Sequence, residues 1–139
     1  MTIYLDEKKF NNLTKSPMRI KVLQSLALKG KLSKTMVESL FSKVHYYPDI
    51  SNAFDNLLEN GLIEQSGKRI GRGRPEVFYR ITDEGLALII YKYHQDPKEF
   101  WSLLVGYCHH RDEQVSLARV EEFYSLFVNK HLKYPSGYN

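Results

Sequence analysis

The 139-residue sequence has one cysteine and no long apolar run. Cys108 alone cannot form an intramolecular disulfide, which agrees with a reducing compartment. No apolar stretch approaches the roughly 18 residues that a membrane-spanning helix needs. The N-terminal segment carries Asp6 and Glu7 where a signal peptide would be apolar. We therefore expect a cytoplasmic protein without a membrane partner.

The motifs of common enzymes are also missing. The sequence contains no Gly-x-Ser-x-Gly, no phosphate-binding glycine loop ending in Lys-Ser/Thr and no His-Glu-x-x-His. Cys108, His109 and His110 are adjacent, but successive helical residues point about 100° apart and cannot all bind one ion. We expect no catalytic residues, no metal site and no cofactor, and the aromatic residues near the C-terminus fit a core or an interface better than an effector pocket.

Acidic residues are absent from the stretch Gly67–Pro75, which has three glycines and four cations: Lys68, Arg69, Arg72 and Arg74. A loop that only reverses two strands needs one or two turn residues, so both the length and the single sign of charge need another explanation. Residues 1–95 carry 15 Lys and Arg against 10 Asp and Glu, whereas residues 96–139 carry 5 against 6. Clustered basic charge of this kind is typical of a surface that binds nucleic acid.

Apolar spacing predicts a mainly helical chain with one β-hairpin, an α+β fold in one domain with an extension. A short helix over Asp6–Leu13 is followed by helices that start at Ser16-Pro17, Ser33 and Asp49, the last ending at Asn60-Gly61. Leu62–Ser66 and Glu76–Thr82 read as two strands around the basic loop, and Leu32 suggests a further short strand. The remaining predicted helices start at Thr82-Asp83, span about Pro97–His110 and span about Glu113–Leu132.

This order of elements resembles a winged helix-turn-helix. The passage Leu57-Leu58-Glu59-Asn60-Gly61-Leu62-Ile63 is similar to the step from its third helix into the wing. Residues 71–75, Gly-Arg-Gly-Arg-Pro, and the following Phe78–Gly85 are similar to the wing and next helix of PadR-, MarR- and ArsR-like transcriptional regulators. The resemblance covers residues 16–93. We expect an N-terminal arm at 1–15, a DNA-binding domain at 16–95 and a helical dimerisation extension at 96–139.

The resemblance implies a homodimeric regulator that binds double-stranded DNA, with the third helix in the major groove and the wing in the minor groove. Arg72 and Arg74, separated by Gly73, resemble an AT-hook and favour a narrow A·T-rich minor groove. Lys68 and Arg69 are better placed for phosphates. If about four phosphates are neutralised per subunit, the logarithm of the binding constant should fall with log salt at a slope near −4.

The third helix departs from this expectation, since its outward residues include Asp49 and Asp55 and no cation. Ser51 and Asn52 can still contact base edges, with asparagine suited to adenine. The other residues assigned to DNA are Lys34 and Lys43 near the second helix and Tyr46 and Tyr47 before the third. The acidic helix keeps a different interpretation open, a protein-interaction winged helix in a chromosome or transcription-machinery assembly.

The last two helices carry an apolar face broader than one small core needs. We predict that this face caps the core and also pairs with a second copy. The residues assigned to the dimer interface are Phe100, Trp101, Leu104, Leu117, Val120, Tyr124 and Phe127. The sequence leaves the operator, the direction of regulation and any small-molecule effector undetermined.

Overall fold

The computed structural model describes residues 5–41, 47–71, 73–111 and 114–128. These residues form seven helices and one two-stranded antiparallel sheet. The helices are α1 (Glu7–Thr14), α2 (Pro17–Lys29), α3 (Lys34–Leu40), α4 (Tyr47–Glu59), α5 (Asp83–Lys92), α6 (Pro97–His110) and α7 (Leu117–Val128). The strands are β1 (Ile63–Arg69) and β2 (Glu76–Ile81). The predicted fold class, mainly α with a small β-hairpin, is confirmed.

Local capping chemistry accounts for most of the helix starts. The side chains of Asp6, Ser33, Thr82 and Asp96 each accept a hydrogen bond from a backbone amide in the first turn of α1, α3, α5 and α6 respectively. Such caps satisfy amides that have no partner within the helix. Ser16 differs from the expectation because its side chain makes no capping bond, and Pro17 alone marks the start of α2.

Two helix boundaries differ from the prediction. Helix α4 begins at Tyr47 instead of Asp49, because Pro48 is tolerated in the first turn, where its missing amide would have had no helical partner. Helix α7 begins at Leu117 instead of about Glu113, and Ser116 Oγ accepts a hydrogen bond from the Arg119 amide at 3.2 Å. Gln114–Ser116 are therefore outside the helix.

Strand β1 is longer than predicted and includes the start of the basic stretch. The pairs Gln65–Tyr79 and Lys68–Val77 leave one extra residue on β1, which is a β-bulge. Gly67 lies in this bulge with φ of 128°, a conformation that glycine adopts readily. The bulge lets pairing continue to Arg69, opposite Glu76, so the connecting loop spans only residues 70–75.

The core lies around α2, which contacts α1, α4, α5, α6 and β2. Phe54 from α4, Phe100 from α6 and Phe123 from α7 are all fully buried. Residues on both sides of the expected boundary at residue 95 therefore share one hydrophobic core. The single-residue strand at Leu32 is also present, as a bridge to Tyr79.

Two glycines allow elements to approach closely. A Cβ on Gly85 would lie 2.1 Å from the Leu62 carbonyl oxygen, at the joint between α5 and the start of the hairpin. A Cβ on Gly106 would lie 2.8 Å from the Ala27 carbonyl oxygen, where α6 crosses α2. These contacts place the hairpin base and the C-terminal helices against the same helical body.

We expect Gly85→Ala to destabilise the protein by about 1–3 kcal/mol, because the clash with Leu62 exceeds the gain of about 1 kcal/mol in helix propensity. Gly71→Ala is the matched control, since a Cβ there meets nothing within 4 Å. Urea denaturation measures both free energies of unfolding. Equal values for the two variants would show that the backbone approach at Gly85 is not tight.

Candidate nucleic-acid interface

Glu76 fixes the base of the hairpin against α3. Its carboxylate accepts hydrogen bonds from Ser33 Oγ at 2.6 Å, from Thr35 Oγ1 at 3.3 Å and from Arg69 Nη2 at 2.5 Å. The Ser33 hydrogen bond, together with the hydrogen bond and charge of Arg69, holds the pKa of Glu76 below its usual value. Next to it, Leu32 and Tyr79 exchange both backbone hydrogen bonds, at 3.1 and 2.9 Å. The hairpin therefore leaves the helical body at a defined point.

The hairpin tip, residues 68–71 and 73–75 in the described chain, is exposed throughout. Ile70 is 83% exposed, so one large apolar side chain lies among the cations of the tip. Within the described ranges, no carboxylate pairs with Lys68 or Arg74. Gly73 has φ of 91°, so the loop passes through a turn that a side chain would strain. The tip thus presents cations and one apolar residue to the outside of the molecule.

Among the described cations of the tip, Arg69 has a carboxylate partner. Its guanidinium pairs with Glu76 and lies 5.8 Å from the Phe78 ring centre, yet its side chain remains 72% exposed. Exposed ion pairs of this kind contribute little to stability, because water and salt screen the attraction. Arg69 can therefore give up part of its contact with Glu76 and bind another anion at little cost in free energy.

Lys34, the first residue of α3, is turned towards α4. Its Nζ donates hydrogen bonds to Ser51 Oγ and to Asp55 Oδ1, both at 2.9 Å. The lysine side chain is only 21% exposed, whereas that of Asp55 is 64% exposed. The cation thus lies beneath the acidic face of α4 and offsets part of its negative charge. Asn52, on the same outward face, is exposed.

These elements enclose an open groove of about 490 Å³ between the start of α3, the start of α4 and β2. Lys34, Thr35, Tyr47, Arg74 and Glu76 are among the lining residues. The groove therefore brings together three assigned residues from distant parts of the sequence, Lys34, Tyr47 and Arg74. Ser51 is connected to it through the hydrogen bond from Lys34. Lys43, Tyr46 and Arg72, which were also assigned to DNA, lie outside the described residues.

Sequence reasoning missed Glu76 as the anchor of the hairpin. The opposite charges of Arg69 and Glu76, at the two ends of the basic loop, were a usable signal for their pairing. The hydrogen bond from Ser33 had no such signal, because the two residues are 43 positions apart.

The residues assigned to the dimer interface fall into two groups. Phe100 and Leu104 are buried in the subunit's own core, and Val120 and Phe127 are half-buried. Trp101, Leu117 and Tyr124 are exposed, as are Val105 and Val128 on the same two helices. The rings of Trp101 and Tyr124 lie 6.1 Å apart, so α6 and α7 share a continuous apolar surface here.

The C-terminal helices also contact the base of the hairpin. Tyr107 on α6 donates a short hydrogen bond to Asp83, the first residue of α5, and Arg119 on α7 pairs with the same carboxylate at 3.5 Å. Burial and the contact with Asp83 raise the pKa of Tyr107, so its hydroxyl stays protonated and donates. Arg111 donates to the Ile81 carbonyl at the end of β2.

The part of the chain that the structure describes contains no group of three or more His, Cys, Asp or Glu side chains arranged to hold a metal ion. His109 and His110 lie side by side with ring centres 4.8 Å apart, and both are exposed at the end of α6. Among the same residues, none of the helices has the length and apolar character needed to cross a bilayer.

The arrangement of helices and hairpin is similar to a solved structure described as a protein with a GntR superfamily winged-helix-turn-helix domain from Halomicrobium mukohataei. The TM-score is 0.52 and the sequence identity 19%, over 85% of this chain and 81% of that chain. The chain has a winged helix-turn-helix fold. Helices α2, α3 and α4 are its three core helices, and the hairpin β1–β2 is its wing. No protein-family model and no curated protein matches the sequence, and the resemblance to PadR-, MarR- and ArsR-like regulators stays a prediction.

The stability of the wing base should depend on pH through Glu76. A carboxylate whose pKa is lowered on folding stabilises the native state above the usual glutamate value of about 4.3, and this contribution is lost as the pH falls through its native pKa. We expect wild type to lose more stability than Glu76→Gln between about pH 6 and pH 3, measured by urea denaturation. Glu59→Gln, which removes an exposed carboxylate at the end of α4, is the control. An identical acid loss in wild type and Glu76→Gln would contradict the assigned role.

Proposed function

We propose that this protein binds double-stranded DNA as a homodimeric transcriptional regulator. In this proposal α4 enters the major groove and the wing tip lies in the adjacent minor groove. The observation that supports it best is the exposed cationic wing tip on a rigid base, with Lys68 and Arg74 unpaired among the described residues. Tip cations that have no carboxylate partner among the described residues are suited to phosphate and to the negative potential of a narrow groove.

The chemistry of the tip fits a minor groove in two further respects. Arg74 follows Gly73, which adds no side-chain bulk where the chain would run between the two groove walls. Exposed Ile70 provides an apolar contact for deoxyribose, which the cations alone do not offer. Arg72 lies outside the described residues and keeps its assigned role as a second groove arginine. These features favour A·T-rich flanks, where the minor groove is narrowest.

The outward face of α4 is compatible with DNA because Lys34 compensates Asp55. Without that cation, Asp49 and Asp55 would both repel the phosphate backbone as the helix approached. With Lys34 held 2.9 Å from Asp55, the local charge around the middle of α4 is closer to neutral. Lys34 therefore serves the interface by offsetting this charge, and the affinity for phosphate comes mainly from the wing.

We expect Lys68→Ala/Arg74→Ala to weaken duplex binding and to reduce the magnitude of the salt slope by about two, since each substitution removes one cation from the surface that faces the DNA. Fluorescence anisotropy with a labelled duplex, titrated at several sodium chloride concentrations, measures both quantities. Lys92→Ala/Lys98→Ala is the charge-matched control, because these exposed lysines lie at the ends of α5 and α6 remote from the wing. If both double variants change the affinity and the salt slope equally, the effect comes from net charge alone and not from the wing.

A second candidate function is a winged helix that binds another protein. The observation that favours it is the exposed acid on α4, with Asp49, Asp55 and Glu59 all on the surface. The same titration separates the two functions, because a protein-interaction module would not bind duplex at about 100 mM salt, where a regulator still binds with a steep salt dependence.

The dimer proposal rests on the exposed part of the C-terminal helices. Trp101 is 48% exposed, Val105 62% and Tyr124 47%, and they lie on adjacent surfaces of α6 and α7. Clustered exposure of large apolar residues is typical of an interaction surface. A two-fold axis through this face would form a four-helix interface and present two wings to one duplex, as a palindromic site requires. Phe100 and Leu104 would support this face from within the core.

We expect Val105→Asp to convert the protein from dimer to monomer, because it places a charge in the centre of the proposed apolar interface. Analytical ultracentrifugation of the full chain measures the mass. Ile70→Asp is the matched control, since it adds the same charge at an exposed apolar position on the wing. A dimer that persists in Val105→Asp, or a wild type that is already monomeric, would remove this role from α6 and α7.

A further inference from the structure

Asp55, an outward-facing carboxylate of α4, is held in place by a specific contact. An acidic residue that was only tolerated on this surface would not need such a contact. Ser51 and Asp55 lie one turn apart on the same face, and a single lysine from α3 donates to both of them. Because Lys34 reaches Asp55 from the α3 side, it binds Oδ1 and leaves the rest of the carboxylate directed outward. The Asp55 side chain is 64% exposed. Among the described residues, no donor is paired with the second oxygen, Oδ2.

We propose that Asp55, oriented by Lys34, is a specificity-determining residue that selects cytosine in the major groove. This proposal rests on the function proposed above and names one base that α4 recognises. An ionised carboxylate only accepts hydrogen bonds, so it can pair only with a base that presents a donor. In the major groove these donors are the N4 amino group of cytosine and the N6 amino group of adenine.

The charge of Asp55 discriminates between these two bases. Adenine presents the acceptor N7 beside its amino group, and a carboxylate next to N7 is repelled by the lone pair. Cytosine presents no acceptor on its own exposed edge beside N4, so a carboxylate oxygen can accept from the amino group without this penalty. Lys34 reduces the accompanying repulsion from phosphates, because it places a positive charge 2.9 Å from the carboxylate.

Asn52 is the neighbouring base-contacting residue and constrains where the cytosine lies. Residues 52 and 55 are separated by about 4.5 Å along a helix axis, and base pairs are stacked about 3.4 Å apart. Asn52 and Asp55 therefore reach adjacent base pairs. Since asparagine pairs with adenine through two hydrogen bonds, the recognised half-site should contain an adenine in the base pair next to the cytosine.

The test begins with selection of bound duplexes from a randomised pool by the full-length wild type. Affinities are then measured for the selected duplex and for three versions in which the candidate C·G pair is replaced. We expect wild type to prefer C·G about tenfold at one position of each half-site, and Asp55→Asn to lose that preference or shift it towards A·T. Glu59→Gln, which removes another exposed carboxylate from α4, should keep the wild-type preference.

The outcomes separate this proposal from the function on which it rests. No selective or salt-dependent duplex binding by wild type would overturn both. Binding with a selected motif whose C·G preference is unchanged in Asp55→Asn would overturn only the role of Asp55. A uniform loss of affinity of Asp55→Asn for all four duplexes, with a lower melting temperature of the variant, would also overturn that role. The Lys34–Asp55 pair would then only stabilise the packing of α3 against α4.

Discussion

The joint between β2 and the start of α3 determines where the cations of the wing tip lie. Glu76 accepts hydrogen bonds from Ser33 and Thr35 on one side and from Arg69 on the other. Three residues further along β2, the backbone of Tyr79 pairs with that of Leu32. A two-stranded hairpin alone is marginally stable in water. Its attachment to the helical body through these bonds gives the wing a fixed direction, and the position of the tip relative to α4 follows from it.

A second set of contacts links the C-terminal helices to the same hairpin. Tyr107 and Arg119 meet at Asp83, and Arg111 contacts the carbonyl of Ile81 where β2 ends. The apolar surface of α6 and α7 is therefore connected to the wing through packed side chains and hydrogen bonds. If two copies pair through that surface, the distance between their wings is set by these contacts, which is the quantity that determines half-site spacing.

The charged residues of the wing and of α4 include two ion pairs with different consequences. Arg69 pairs with Glu76 at the surface, where the interaction is weak and exchangeable. Lys34 pairs with Asp55 from the α3 side, and two hydrogen bonds define the position of the lysine. The first pair leaves a cation accessible, and the second leaves an anion accessible. In the proposed DNA complex, the basic tip would attract the duplex and the acidic helix would discriminate between bases.

The sequence by itself determined the order of elements, since caps such as Ser33, Thr82 and Asp96 and the alternation around the basic loop depend on neighbouring residues. It also located the densest positive charge. Tertiary structure alone decided that Lys34 faces Asp55, that Glu76 meets Ser33, and that Phe100 is buried while Trp101 is exposed. Local patterns define which face of a helix is apolar, but not which distant element covers it. That depends on how helices pack in three dimensions, so the roles of charged residues at their junctions become visible only in the folded chain.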